Sequence, residues 1–320
     1  MAANTLNAYT KTFFASLGRA LLAEMKKGLN CSIIVPAYNA EVTLPVLLDS
    51  LSKQTYKSDF EIIVVDDCSN DATPEVCRLK NGEILRLKKN RGPAHCRNLG
   101  ARRAKGDVLI FTDSDCIVAH DWLEQIERCF AQGDAEVIMG KLVLLPSSFL
   151  GDSISALGFP AGGALGFEKV WRVSEDGFTN SLSSCNFAIK REVFEGIGGF
   201  DECFPYAGGE DSFLAYSLVQ SSYRIKYCPE VLVYHGARDS LKSFFRWQFH
   251  RGLSSFIFSK KVTGKRNFAS LRLWSTLNII KHYHSDSKFP LIVFLLLMSF
   301  LVQMSGFFCA KYREIIPCEC

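Results

Sequence analysis

Two carboxylates that follow a short apolar run are the residues of this chain best placed to do chemistry. Val108 to Phe111 is continuously apolar, and Asp113 and Asp115 come after it, one residue apart. Strand geometry points alternate side chains to the same side, so both carboxylates would face one space. Converging anions favour a hard divalent cation between them, which would also bind a diphosphate. An Asp-rich turn is the structural alternative.

Strands and helices alternate around this segment, which predicts an α/β fold. The strand-like runs are rich in Ile and Val and apolar throughout, as in a mostly parallel sheet with helices on both faces. In such sheets ligands bind beyond the carboxyl ends of the strands, so the polar pairs found there should share one rim. These pairs are Tyr38–Asn39, Asp66–Asp67 and Asp113–Asp115. The predicted strands are 31–35, 60–65, 83–87, 108–111 and 137–145, and the predicted helices are 43–53, 74–79, 93–104 and 121–130.

The composition indicates a protein with a sizeable core and no affinity for nucleic acid. The chain has 320 residues, of which 48% are hydrophobic and 22% charged, and its net charge is only +4. That length allows one large α/β domain with an appendage. The 12 cysteines form no CxxC pair. We therefore expect reduced structural thiols in a cytosolic compartment and no zinc site.

Both ends of the chain carry apolar segments. Residues 1–30 have apolar side chains at helical spacing and predict an amphipathic helix. Phe289 to Ala310 contains no charged residue and is long enough to cross a bilayer, whose hydrocarbon core is about 30 Å thick. The larger basic load precedes this segment, which predicts a single-pass protein of the cytoplasmic membrane with its catalytic domain in the cytoplasm. A buried core helix is the alternative.

These features divide the chain into five predicted parts. The catalytic domain would cover 31–260, with a mobile Gly- and Ser-rich loop over the site at 146–180 and a short strand at 183–190. The remaining parts are the N-terminal helix at 1–30, a juxtamembrane helical segment at 261–288, the membrane helix at 289–310 and a tail at 311–320.

A set of motifs in the predicted catalytic domain resembles the family 2 inverting glycosyltransferases, which have a GT-A fold. The likeness covers about residues 31–255, and the order of the motifs makes it specific. The motifs are SIIVPAYNAEVTLPVLLDSLSKQTY, EIIVVDDCSNDAT, NRGPAHCRNLGARRAKGD, DSD, GGFDE, GGED and HRG.

The resemblance implies a nucleotide-sugar donor, a UDP-sugar foremost. The base would stack where the first strand ends, and Asp66 or Asp67 would accept a hydrogen bond from a uracil-like N–H or a ribose hydroxyl; the family favours Asp67. Ser184 and Asn186 would lie near the sugar. The donor-binding residues implied in this way are Pro36, Ala37, Tyr38, Asn39, Asp66, Asp67, Arg97, Asp113, Ser184, Asn186, Gln248 and Arg251.

The resemblance also implies a divalent cofactor, Mn²⁺ or Mg²⁺. The metal residues would be Asp115, Asp113 and His235: Asp115 would bind the metal directly, Asp113 would lie nearer the ribose, and His235 would be the third ligand. The metal would neutralise the diphosphate leaving group. A structural histidine is the alternative for His235.

Asp211 is the expected general base, with Glu210 orienting the acceptor. Inversion requires a base on the face of the sugar opposite the leaving group, and the base deprotonates the acceptor hydroxyl. The preceding glycines, Gly208 and Gly209, permit close approach of a substrate. Two acids that merely serve a helix dipole are the alternative.

The segment Leu241 to Phe258 mixes basic and aromatic residues. It predicts either an interfacial helix that presents a lipid-linked acceptor at an anionic membrane or a helix that closes the domain. Gln248 and Arg251 resemble the family's late Gln-x-x-Arg element. Processive synthases place Trp after that arginine and carry several membrane helices. Gly252 stands there in this chain, which favours transfer of one or a few sugars to a lipid-linked or glycan acceptor.

Two other functions compete with this hypothesis. A sugar nucleotidyltransferase shares a related core but opens with a Gly-rich loop, and this chain has Pro-Ala-Tyr-Asn at that place. A membrane-tethered, non-catalytic glycan-binding protein would not need Asp113, Asp115 and Asp211 together.

Overall fold

One nine-stranded sheet organises the protein in the computed structural model, which describes residues 28–79, 83–262 and 268–313. The predicted N-terminal helix falls almost wholly outside these ranges, as does most of the predicted tail. The strands are β1 (Cys31–Ala37), β2 (Phe60–Asp66), β3 (Glu83–Arg86), β4 (Val108–Thr112), β5 (Cys116–Val118), β6 (Val137–Leu144), β7 (Phe178–Thr179), β8 (Asn186–Lys190) and β9 (Ile225–His235).

Helices follow the strands along the chain, so the predicted α/β architecture is confirmed. Helix α3 packs on β1 and β2, and α4 packs on β9 and β6. The helices are α1 (Leu44–Ser52), α2 (Thr73–Leu79), α3 (Pro93–Arg103), α4 (Trp122–Ala131), α5 (Phe149–Ser155), α6 (Phe167–Val170), α7 (Arg191–Gly196), α8 (Glu210–Gln220), α9 (Leu241–Lys261), α10 (Phe268–Tyr283) and α11 (Phe289–Tyr312).

The sheet is mixed, whereas the apolar runs suggested mainly parallel strands. Its order is β3-β2-β1-β4-β8-β6-β9-β5, with β7 on β9. The first four strands of this order are parallel, but β8 runs antiparallel to both β4 and β6. Phe187, Ala188 and Ile189 of β8 are all fully buried. A strand buried on both faces reads as a continuous apolar run in either direction, so its sequence does not reveal its direction.

The core explains why β1 and β4 form the centre of the sheet. Ile33, Ile34 and Val35 of β1 are fully buried, and every residue of β4 is buried. β-Branched side chains suit a pleated, buried surface, and each such burial contributes roughly 1.5–3 kcal/mol. The ten cysteines of the described ranges are free thiols, and most are buried in this core, as expected.

The Gly- and Ser-rich segment after β6 is more ordered than predicted. It forms α5, a 3₁₀ turn at Gly163–Leu165, α6 and β7. The Ser148 hydroxyl caps α5 by accepting a hydrogen bond from the Gly151 N–H at 3.0 Å. The predicted strand at 183–190 begins only at Asn186.

Helices α9 and α11 cross closely at two glycines. A Cβ on Gly252 would lie 2.1 Å from the Gln303 carbonyl oxygen, and one on Gly306 would lie 2.3 Å from that of Phe249. Near the start of the pair, Phe244 of α9 joins Ile292 and α5 residues in a second apolar cluster. Among the described helices, α11 alone is long and apolar enough to cross a membrane.

Candidate active site

The carboxyl ends of β1, β2 and β4 lie side by side and place three polar segments on one rim. Ala37 of β1 is paired with Asp66 of β2, and Ile34 with Phe111 of β4. The backbone N–H of Asp67 donates to the Ala37 carbonyl at 2.8 Å. The segments that follow these strands therefore emerge together.

Hydrogen bonds join the segment after β1 to the segment after β2. The Asn39 N–H donates to the Ser69 hydroxyl, and the Asn39 side-chain oxygen accepts from the Asn70 N–H, both at 2.9 Å. Asn39 has a φ of 50°, a conformation that asparagine tolerates better than most residues. The Tyr38 side chain remains 49% exposed. The rim thus presents an open aromatic ring on a fixed backbone.

Asp66 and Asp67 are both buried and both cap turns. The Asp66 carboxylate accepts from the Ser69 N–H at 3.1 Å and pairs with Arg86 Nε at 3.2 Å. The Asp67 carboxylate accepts from the backbone N–H groups of Arg91 at 2.7 Å and Gly92 at 2.9 Å. Asp67 thereby holds the loop that begins α3, the helix that carries the arginine described next.

Arg97 connects two distant acidic segments. Its guanidinium is buried and donates to Asp113 Oδ1 at 2.7 Å and to Glu210 Oε1 at 3.1 Å. Burial alone would lower the pKa of Arg97, but the two carboxylates raise it, so the side chain stays charged. The first turn of α8 is therefore held beside the end of β4.

Glu210 and Asp211 begin α8 behind two glycines with positive φ. Gly208 and Gly209 have φ values of 109° and 139°, which glycine adopts most readily. The Gly208 N–H donates to Glu210 Oε2 at 2.7 Å, and Ser212 N–H donates to Asp211 Oδ1 at 2.7 Å. Burial and the charge of Asp211 raise the pKa of Glu210 to about 7, and burial also raises the pKa of Asp211. A carboxylate with a raised pKa accepts protons more readily than an ordinary one.

Asp115 and His235 form a second polar pair, where β5 begins and β9 ends. His235 Nε2 lies 3.2 Å from Asp115 Oδ1, and His235 Nδ1 lies 2.6 Å from the Gly236 carbonyl. Burial alone would lower the pKa of His235, but Asp115 raises it to about 10. Cys116 brings its sulfur within 4.8 Å of both ligand atoms. Burial raises the pKa of the Cys116 thiol well above its ordinary value, so this thiol stays protonated and the pair is the better ligand set.

A family model described as Glycosyl transferase family 2 matches residues 32–198. This chain belongs to glycosyltransferase family 2. Glycosyltransferase AglE of Haloferax volcanii is 26% identical over 272 residues, which are 80% of this chain and 84% of AglE. The O-antigen chain rhamnosyltransferase RfbN of Salmonella typhimurium is 29% identical over 231 residues, 70% of this chain and 72% of RfbN.

A comparison with solved structures agrees with the predicted GT-A fold. The mannosyltransferase PcManGT from Pyrobaculum calidifontis, solved in complex with GDP-Man and Mn²⁺, matches with a TM-score of 0.54 at 20% identity. The match covers 91% of this chain and 83% of that one. The predicted family, the GT-A fold and the glycosyltransferase class of the enzyme are therefore confirmed.

Not every predicted donor contact of this glycosyltransferase is available to a ligand. Asn186 is fully buried, and its amide is occupied by Trp122 Nε1 at 2.9 Å and by the carbonyls of Lys141 and Val231 at 2.8 and 2.9 Å. Gln248 is fully buried too and accepts from Gln303 Nε2 at 2.6 Å, so it faces α11. Ser184 is 6% exposed. We correct the assignment of Asn186 and Gln248 to the donor site, because their side chains are enclosed by the protein.

Arg251 lies beside the glycines and the acid at the start of α8. Its Cγ would lie 3.1 Å from a Cβ on Gly208, and its charge acts on Asp211. Burial lowers the pKa of Arg251 to about 9. The guanidinium carbon lies 3.8 Å from the ring centroid of Phe159, so an aromatic ring from the segment after β6 covers this cation.

Sequence reasoning missed two features of the site. Arg238 lies close enough to Asp115 to lower its pKa, and it stacks on Trp247 at 4.9 Å. Tyr206 stacks on His250 with the ring centroids 3.9 Å apart, in the loop before the catalytic segment. The position of Arg238, three residues after His235, was the available sequence signal for its place near Asp115. The Tyr206–His250 stack joins two distant segments, so no local sequence pattern indicates it.

Proposed function

We propose that this glycosyltransferase is metal-dependent and inverting, and that it moves a sugar from a nucleotide-sugar to a hydroxyl of a lipid-linked or glycan acceptor. The observation that carries the proposal is the Arg97 bridge. One buried guanidinium binds Asp113 after β4 and Glu210 at the start of α8. The segment suited to hold a diphosphate and the segment suited to take a proton thus share one site.

Asp211 is the proposed general base. One carboxylate oxygen takes the proton of the acceptor hydroxyl while that hydroxyl oxygen attacks the anomeric carbon. The bond from this carbon to the diphosphate oxygen breaks, and its electron pair leaves with the nucleoside diphosphate. Attack opposite the leaving group inverts the anomeric configuration. Glu210 is held by Arg97 and Gly208, which suits a residue that positions the base and the acceptor.

Asp115 and His235 are the proposed metal ligands, with Mn²⁺ or Mg²⁺ as the ion. A carboxylate and an imidazole on one side of an open space fit a divalent cation that leaves positions for phosphate oxygens. When bound, the ion supplies positive charge to the departing diphosphate. Asp113 would face the ribose rather than the metal, because Arg97 occupies its Oδ1. Arg238 and Arg251 would add positive charge around the diphosphate.

The donor's base would lie on the rim formed by Pro36 to Asn39. Tyr38 offers an exposed ring for stacking, and Asn39 and Ala37 offer backbone groups on a fixed turn. Asp67, which lies beneath this turn, is the more accessible acid of its pair at 4% exposure, against 0% for Asp66. We propose UDP as the nucleotide, with GDP as the alternative to be tested.

The apolar helix α11 and the basic residues near it support attachment to the cytoplasmic membrane. We propose that the catalytic domain lies on the cytoplasmic side, where nucleotide-sugars are made, and that the acceptor is carried by a lipid or a glycan.

A donor panel tests the proposal. The purified full chain is incubated with UDP- and GDP-sugars, Mn²⁺ or Mg²⁺ and a membrane lipid extract, and release of the nucleoside diphosphate is measured. We expect release with one donor class, loss of release on chelation, and a fall of ~10²–10⁴-fold in Asp211→Asn. The matched control is Glu192→Gln, an exposed acid in the first turn of α7. Equal turnover by wild type and Asp211→Asn would refute the proposed base.

A further inference from the structure

The packing of α11 is incompatible with a simple bilayer span. Its buried residues run from the first turns to the last, and they contact α9 along that length. Near the start Ile292 and Leu295 pack with Phe244, and near the end Ala310 packs with Leu253 and Phe256. Any membrane that α11 crossed would therefore have to accommodate α9 as well.

Helix α9 cannot lie in a hydrocarbon core, because it carries charges that face the active site. Arg251 lies against Gly208 and acts electrostatically on Asp211. Arg251 follows Gln248 by one turn, and Gln248 accepts a hydrogen bond from Gln303, near the middle of α11. A spanning α11 would place that midpoint about 15 Å deep in the bilayer and would draw the catalytic site in with it. Buried ionisable groups at that depth are strongly disfavoured.

The polarity of α11 is nevertheless suited to lipid. Its polar side chains Ser299 and Gln303 point inward and are hydrogen-bonded to each other at 2.9 Å. The opposite stripe, at helical spacing, is exposed and apolar apart from Ser305: Leu297 is 63% exposed and Leu301 59% exposed. The other large apolar side chains exposed on this helix are Phe294, Phe300 and Phe308.

The small residues Gly306 and Ala310 of α11 face α9, which argues against a second helix as the partner of the outer stripe. Helix pairs in membranes meet at small side chains, and Gly306 and Ala310 are already used against α9. The outer stripe has large side chains apart from Ser305, whose hydroxyl donates to the Val302 carbonyl of its own helix. Exposed basic residues lie at both ends of α11: Lys281 and His282 are in the last turn of α10 before it, and Lys311 and Arg313 end it. Such residues suit the headgroups of an anionic leaflet.

We propose that α11 lies in the plane of the membrane, with its outer stripe sunk into the cytoplasmic leaflet and both of its ends on the cytoplasmic side. Interfacial helices bury their apolar face about 5–10 Å deep, which leaves α9 and the active site at the lipid surface. A lipid-linked acceptor would then reach Asp211 without leaving the bilayer. The inference builds on the proposed membrane attachment and does not depend on the proposed chemistry.

Protease access to a C-terminal tag tests the topology. The full chain with an epitope after residue 320 is placed in sealed inverted membrane vesicles, whose outer surface is the cytoplasmic one. An in-plane helix leaves the tag outside, so protease removes it without detergent. A spanning helix protects a tagged fragment until detergent is added, and that protected fragment would overturn the proposal.

Vesicle binding tests the surface itself. Leu297→Asp/Leu301→Asp is compared with Val46→Asp, a matched change at a residue that is 46% exposed on α1. We expect the double variant to lose sedimentation with phosphatidylethanolamine–phosphatidylglycerol vesicles by at least about tenfold, with an unchanged thermal midpoint, and the control to keep it. Undiminished sedimentation would overturn the proposal. If the double variant changes from a dimer to a monomer and still binds vesicles, the proposal is also overturned, because the outer stripe would then contact a second copy of the chain.

Discussion

The sheet rim and helix α9 hold their buried arginines in different ways. At the rim, Arg97 donates to two carboxylates, at 2.7 Å to Asp113 and at 3.1 Å to Glu210, and its Nε is left without a partner in the described part of the chain. Asp66 Oδ2, which is ion-paired with Arg86, and Thr112 Oγ1 also lack a hydrogen bond there. On α9, three buried polar atoms have no hydrogen-bond partner among the described residues. These atoms are Gln248 Nε2, Arg251 Nη1 and Ser254 Oγ.

This difference separates a preorganised half of the site from one that a ligand completes. An unsatisfied buried polar group costs about 1–3 kcal/mol, and both regions carry such groups, but the Arg97 guanidinium has two carboxylate partners whereas Arg251 Nη1 has none among the described residues. Arg251 is the clearest case, because its free nitrogen belongs to a cation beside Asp211. We interpret the rim as fixed before the donor binds. On the α9 side, we interpret the unpaired polar groups as ones that the diphosphate and the acceptor pair when they bind.

Removing Arg97 should be the most damaging single change to the rim. Arg97→Met leaves the buried Glu210 carboxylate and the half-buried Asp113 carboxylate without their shared cation, and breaking a buried ion pair in this way costs about 3–5 kcal/mol. We expect that loss in urea unfolding and a fall in kcat of at least about 100-fold with a smaller change in KM. Arg97→Lys keeps the charge but not the forked geometry and should recover stability more than kcat. Wild-type unfolding of Arg97→Met would contradict the bridge.

The proposed metal pair should respond unequally to its two truncations. Asp115→Ala removes the charged oxygen ligand and should abolish measurable Mn²⁺ binding. His235→Ala should weaken binding by about tenfold, because the carboxylate remains. Isothermal titration with Mn²⁺ in the presence of UDP measures both. His120→Ala, at a histidine that is 76% exposed, is the matched control. Equal Mn²⁺ affinity in wild type and all three variants would contradict the assignment of Asp115 and His235 as metal ligands.

The α9–α11 contact should be a local weakness that leaves the rim intact. A side chain at position 306 meets the Phe249 carbonyl, so Gly306→Leu should force the helices apart and cost about 1–3 kcal/mol. Gly196→Ala is the control, since an added Cβ there meets nothing within 4 Å. Thermal unfolding measures the cost, and titration with UDP measures the rim. A large loss of UDP affinity in Gly306→Leu would mean that the two halves are coupled.

The sequence allowed the rim to be predicted far better than the helical side. Apolar runs located the strands from β1 to β4, and the alternation of strand and helix placed their polar ends together. Hydrophobicity does not encode strand direction, so the strand β8 was predicted but its antiparallel direction was not. The Arg97 bridge joins residues 113 positions apart, and such a pair leaves no local pattern. The same limit applies to Gln248, whose burial depends on a helix that the apolar pattern assigned to the membrane.

The smallest expected effect concerns the acid pair at the start of α8. Burial and Asp211 raise the pKa of Glu210 to about 7 from an ordinary 4.5. A carboxyl whose pKa is raised by folding contributes stability that is full below pH 4.5 and is lost as pH rises through about 7. The unfolding free energy of wild type should therefore fall relative to that of Glu210→Gln across this window, by roughly 1–3 kcal/mol.

Removing the neighbouring charge should also move the acidic limb of the kcat profile to lower pH, because Asp211 then ionises more easily. Urea unfolding at several pH values gives the first readout and initial rates of diphosphate release the second. Parallel stability curves for the two proteins would place the titrating group elsewhere, and a limb that stays fixed would separate Glu210 from the base.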